Sequence, residues 1–165
     1  MPPVHGSDDA VNPGAMLLAD NRLVLRVLRH WDDAGANRLF PSKSQIDPWV
    51  IGDDWANCAL IDLHHRVERS TIVAVGSKLQ PMPELPIEGN PLFKCPFNAL
   101  LGVVVWRLPV VVDKRAPLSL RGVATHFGAP ILYRGVLLPL AEDGVEMDAV
   151  LVAANYRALD RKPRG

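Results

Sequence analysis

Residues 131–156 read ILYRGVLLPL, AEDG, VEMDAVLVAANY. Two runs rich in Leu, Val and Ile flank a short polar turn, the sequence form of two antiparallel strands. Glu142, Asp143 and Gly144 suit the turn, because Asp tolerates turn geometry and Gly accepts positive φ. In the second run Glu146 and Asp148 lie two apart and so share one face. Beyond Asp148 the alternation stops, and Ala149 to Ala154 are apolar at every position. A strand with one buried face alternates; a strand covered on both faces need not. This stretch therefore predicts a central strand with something packed on each side of its sheet. The rest of the chain has to supply both coverings.

The chain has 165 residues, 48% hydrophobic and 22% charged. That suits one globular domain large enough to bury its own core. Eighteen basic residues balance eighteen acidic ones, so no bulk field favours nucleic acid or an anionic membrane surface. No apolar run reaches the ~18 residues that spanning a bilayer needs. Neither nucleic acid nor a membrane is expected as a partner. Cys58 and Cys95 lie far apart and outside any CxxC pattern, which predicts free thiols in a reducing cytoplasm. The opening MPPVHGSDDAVNPG, residues 1–14, has no basic segment followed by an apolar run. It is expected to be loose and not to act as a secretory leader. Basic residues gather at the other end (Arg157, Arg161, Lys162, Arg164), and 158–165 reads as a solvated tail.

Asn12-Pro13 suits a helix start, and the spacing predicts a helix over 15–35. Leu17, Asn21, Val24, Leu28 and Trp31 form a stripe, widened by Leu18 and Leu25. The stripe can pack on its own domain, on a second copy, or on another partner; Leu18, Val24, Leu25, Leu28 and Trp31 would carry a dimer or partner contact. Asp47-Pro48 opens a short helix around Trp49 to Trp55. Ala59–His65 and Thr71–Val75 read as a first strand pair. Residues 76–90 hold Pro81, Pro83 and Pro86 and read as an irregular connector. Phe97–Val112 is ambiguous: its β-branched residues favour strand, yet Phe97, Leu101, Val104, Val105 and Leu108 fit one helical face. Pro109 would kink or end such a helix. In residues 118–125, Leu118, Leu120, Gly122 and Ala124 alternate with Ser119, Arg121, Val123 and Thr125, which is a strand. Gly128 turns the chain into the final hairpin.

The element order and three local stretches resemble a family of short, mostly single-domain PAS-like proteins of alphaproteobacteria. The stretches are HW followed by FPSKSQIDP (30–48), VAVGSKL (73–79), and YRGVLLPLAEDGVEMDAVLVA (133–153). VERSTIVAV and LPIEGN depart from the family pattern. The resemblance implies an α+β fold over 36–157: a five-stranded antiparallel sheet, short helices over one face, and a pocket between them. The N-terminal helix would cap the other face or pair with a partner. It also tips Phe97–Leu108 toward helix. The function that the resemblance implies is that of a sensory or regulatory domain.

No phosphate loop, nucleophile elbow or zinc-protease motif occurs, and no enzymatic activity is expected. His64 and His65, if in a strand, point to opposite faces and do not share a metal. His126 and Cys95 are the candidate cofactor contacts of a haem or flavin sensor. Cys95 sits in FKCPFN, which lacks the flavin-type signature, and reads first as an inert buried thiol. A pocket lined by Phe93, Phe97, Leu101, Val105, Val123, Tyr133 and Met147 is expected to take a small-molecule ligand. Expected partners are that ligand, a second copy of the chain, or a signalling protein. A pure interaction module without a ligand is the alternative.

Overall fold

The computed structural model describes residues 22–159 apart from 47, 83 and 85. Leu18, the Asp47 cap and the tail beyond 159 lie outside the described residues. In chain order the elements are α1 (Arg22–Ala34), α2 (Pro48–Ile51), β1 (Cys58–Asp62), β2 (Thr71–Val75), α3 (Leu100–Val105), α4 (Leu108–Lys114), β3 (Leu118–His126), β4 (Ala129–Leu140) and β5 (Ala149–Ala158). Short 3-10 helices of three to six residues join several of them. The five strands form one antiparallel sheet in the order β2-β1-β5-β4-β3. This is a PAS-like α+β fold, with short helices on one face and α1 on the other.

The hairpin of β4 and β5 is its centre. The two strands pair from Leu140 opposite Ala149 to Ile131 opposite Ala158. Every residue from Ile131 to Leu140 and from Ala149 to Ala154 is buried. Alternation along β5 divides two cores. Val150, Val152 and Ala154 join Ile61, Leu101, Val104, Tyr133 and Leu137 under α3 and α4. Ala149, Leu151 and Ala153 join Leu23, Val24, Val27, Val136 and Leu138 under α1. Each fully buried Val or Leu contributes roughly 1.5–3 kcal/mol, so both coverings matter to the fold.

The hairpin connection is longer than the sequence suggests. Glu146 and Asp148 lie in it, not in a strand. Asp143 accepts hydrogen bonds from the Val145 and Glu146 amides, both 2.8 Å, and Asp148 accepts one from the Glu142 amide. The Val145 and Glu146 amides hold the Asp143 carboxyl below its ordinary range, and all three bonds give the polar residues a turn role. Arg157 belongs to β5, opposite Leu132.

The ambiguous middle is helical. All six residues of α3 are buried, and a helix apolar on every side is a buried helix. Burial here overrides the β-branched preference for strand. The helix breaks at Trp106 and Arg107 and restarts with Pro109 in the first turn of α4, where a missing amide hydrogen costs nothing.

α1 resolves the stripe. Val24 is buried against the sheet, and Leu28 and Trp31 pack on the same cluster. Leu25 is the one stripe residue among those described that faces outward, 55% exposed. Val24 is thus turned onto the chain's own sheet, and Leu28 and Trp31 are partly covered by it.

Candidate functional site

The chain between β2 and α3 builds the site. Pro91 bridges Thr71 at the edge strand β2, and the Leu92 amide donates to the Ser70 carbonyl at 2.9 Å. The turn at Leu92–Lys94 then sends Leu92 inward and Phe93 outward. Next, Pro96 and Phe97 cross directly over Gly102 of α3. A Cβ at Gly102 would sit 2.0 Å from the Pro96 carbonyl oxygen, so only glycine admits this crossing. The crossing sets Phe97 against Trp106 with ring centroids 5.1 Å apart and planes at 77°, an edge-to-face pair.

The result is a half-open groove of about 550 Å³, lined by Val67, Glu68, Leu92, Phe93, Cys95, Phe97, Gly102, Val105, Trp106 and Pro109. Phe93 is 58%, Phe97 54% and Trp106 41% exposed. Three large aromatic rings that could have been buried instead face this hollow. Grouped exposed apolar side chains make this hollow the candidate site, and its volume falls in the range of small-molecule pockets.

Of the pocket residues expected from sequence, Phe93, Phe97 and Val105 line the groove. Leu101 and Tyr133 do not: they are fully packed between α3 and the sheet. Val123 lies on the α1 side of the sheet, because β3 alternates and Leu118, Leu120 and Ala124 face the helices. Met147 borders a separate hollow of about 340 Å³ with His64 and His65. The groove is therefore on the outer side of α3, not between α3 and the sheet. Leu92, Trp106, Val67 and Glu68 belong to it and were not expected.

The two candidate cofactor contacts stand apart, Cys95 in the groove wall and His126 at the end of β3. Cys95 is buried in the groove wall and its thiol is pushed up to about 12 by burial, so it keeps its proton at neutral pH. Cys58 is likewise buried, pushed up to about 12. The Nδ1 of His126 accepts a hydrogen bond from the Leu100 amide at 3.0 Å. Ala99, at the start of α3, has no side chain that can cap, so His126 caps α3 from the neighbouring strand. Its ring lies 4.8 Å from both Phe127 and Tyr156. His64 and His65 follow β1 in a turn, not in a strand, and their rings stack at 4.1 Å on the exposed surface. β3 and β1 are separated by two strands, so His126 does not meet them. Among the described residues no group of three or more His, Cys, Asp and Glu converges as for a metal ion, and no helix is long and apolar enough to cross a membrane.

The cap makes stability pH-dependent. Burial holds the His126 pKa below its ordinary value, and a protonated imidazole cannot accept from the Leu100 amide. With the folded pKa below the unfolded one, the contribution is complete above the unfolded value and is lost as pH falls through the folded one. Its size is that of a helix cap, about 1 kcal/mol. Urea unfolding at pH 7.5 and pH 5 is expected to show a larger loss for the parent chain than for His126→Gln. Equal losses would remove His126 as the titrating cap.

A second, polar cleft of about 640 Å³ lies beside α1, lined by Arg26, Asp53, Asp54, Asn57, Lys78 and Tyr156 among others. Arg26 grips Asp54 through two 2.7 Å bonds, which lowers the Asp54 pKa. That ion pair is compensated within the cleft.

No protein-family model matches the chain, and no curated protein matches it. Among solved structures, a fungal LOV-domain photoreceptor is 14% identical with a TM-score of 0.41, over 82% of this chain and 89% of that one. The photo-excited blue-light photoreceptor Vivid is 13% identical with a TM-score of 0.43, over 78% and 93%. A sensory box sensor histidine kinase from Vibrio cholerae is 11% identical with a TM-score of 0.42, over 65% and 86%. The fold assignment stands on the strand order and register of the sheet.

Proposed function

We propose that the chain is a PAS-like sensory or regulatory domain that takes an apolar small molecule in the Phe93–Phe97–Trp106 groove. The observation that carries this reading is the exposure of three aromatic rings around one hollow while the space between α3 and the sheet is filled. α3 forms both the floor of the groove and part of the core, so a ligand that prefers one placement of α3 biases its packing on the sheet. The sequence stretches around 30–48, 73–79 and 133–153 support a place in the alphaproteobacterial PAS-like branch, and the two free cysteines support a cytoplasmic setting. Output through a second copy or a signalling protein would use the outer face of α1, at Leu25.

The test uses Nile red, a neutral apolar dye, with the purified chain. The dye is expected to brighten on binding, and Phe97→Ser with Phe93→Ser to remove most of that signal without shifting the melting temperature, since both rings are more than half exposed. Undiminished binding by the double variant sinks the groove. In the same samples, Leu25→Asp is expected to shift sedimentation from dimer to monomer; an unchanged species sinks the α1 output.

A further inference from the structure

We propose that the groove selects an apolar ammonium cation, a quaternary or methylated amine. The inference rests on the small-molecule reading of the groove and adds the charge of its ligand. Ten residues line the hollow, and Glu68 is the single one with a formal charge. Arg66, Arg69, Lys94 and Arg107 are sequence neighbours of lining residues, yet none of them lines it. Glu68 is exposed, and among the described residues its carboxylate makes no hydrogen bond or ion pair, so it is open to solvent.

Occupying the groove strips that solvent away. A neutral ligand leaves the carboxylate partly desolvated with nothing in exchange, and an anion adds repulsion; a cation compensates it. The rings act in the same direction. The faces of Phe and Trp carry negative potential and attract a cation within about 6 Å of the ring centre. Phe97 and Trp106 stand nearly perpendicular, so they form a corner, and Phe93 adds a third ring to the same hollow. The other lining groups (Val67, Leu92, Val105, Pro109) are apolar and suit methyl groups better than a hydrated ammonium. A compact, methylated cation satisfies the rings, the carboxylate and the apolar walls together.

The test compares three isosteres with the full chain: choline, its neutral analogue 3,3-dimethylbutan-1-ol, and the anion 3,3-dimethylbutanoate. Dissociation constants come from the shift of the Trp106 indole N–H in NMR titrations. Choline is expected to bind about tenfold more tightly than the neutral analogue, and the anion most weakly. Glu68→Gln, at an exposed position, is expected to narrow the gap between choline and the alcohol with the melting temperature unchanged. Equal binding of choline and the alcohol, or tightest binding of the anion, overturns the cation proposal and leaves the groove standing. Binding of none of the three also overturns it, and Nile red then decides separately whether the groove binds ligands at all.

Discussion

Gly102→Ala is expected to destabilise the domain by about 3 kcal/mol, the upper end of what a forced extra methyl costs in a packed site. The Cβ would lie 2.0 Å from the Pro96 oxygen and 3.1 Å from the Phe97 Cα. Both are backbone atoms, and they cannot rotate away as a side chain can. Relief requires the Pro96–Phe97 segment to lift off α3, which separates Phe97 from Trp106 and opens the groove. The same variant should therefore lose Nile red binding along with stability. Gly128→Ala is the comparison. There φ is +82° and nothing lies within 4 Å of the added methyl, so only backbone strain acts, roughly 1–2 kcal/mol. Urea unfolding of the two variants separates crowding from strain. A Gly102→Ala chain within about 0.5 kcal/mol of the parent would mean that the crossing at Pro96 is not tight.

That crossing also explains what the sequence could and could not disclose. All five strands are legible because turn residues bound them and because the unbroken apolar run at Ala149–Ala154 requires cover on both faces. Local chemistry determines both signals. The helical middle was legible only through the family resemblance, since a fully buried helix and a fully buried strand have the same apolar pattern. The groove was half legible. Phe97 looked like the first residue of the Leu101 stripe, four positions earlier, but α3 begins at Leu100, and before that point the helical spacing has no meaning. So Phe97 turns outward while Leu101 turns in. Trp106 lies off the stripe and faces Phe97 only because the chain folds back over Gly102. Val123 sits in register with Ser119 and Arg121, and the alternation of β3 already placed it on the other face from Leu120. Glu68 and Leu92 come to the groove from a turn and a connector whose positions depend on pairing with β2, a long-range contact that no local pattern encodes.

On the other face of the sheet, Trp31→Ala is expected to cost about 3 kcal/mol, combining lost packing of a half-buried indole with an orphaned carbonyl. The Trp31 indole N–H donates to the Pro139 carbonyl at 2.7 Å. Pairing of β3 with β4 ends at Leu118 opposite Leu137, so Pro139 lies past the reach of that ladder, and α1 supplies the donor. Trp31→Phe keeps most of the packing and removes the hydrogen bond, and is expected to cost about 1 kcal/mol. The loss should appear as one cooperative transition in both variants. Leu23, Val24 and Val27 share the face that carries Trp31 and are 0–5% exposed; releasing α1 would bare Val136, Leu138 and Leu151 of the two central strands. A domain that kept its sheet with that surface in water would have lost one of its two cores, which is why undocking and unfolding are expected to coincide. Hydrogen exchange checks this directly: amides of β4 and β5 should lose protection together with those of α1 in Trp31→Ala. Protection retained in the strands while α1 exchanges freely would show that α1 is an accessory to the sheet and not half of its cover.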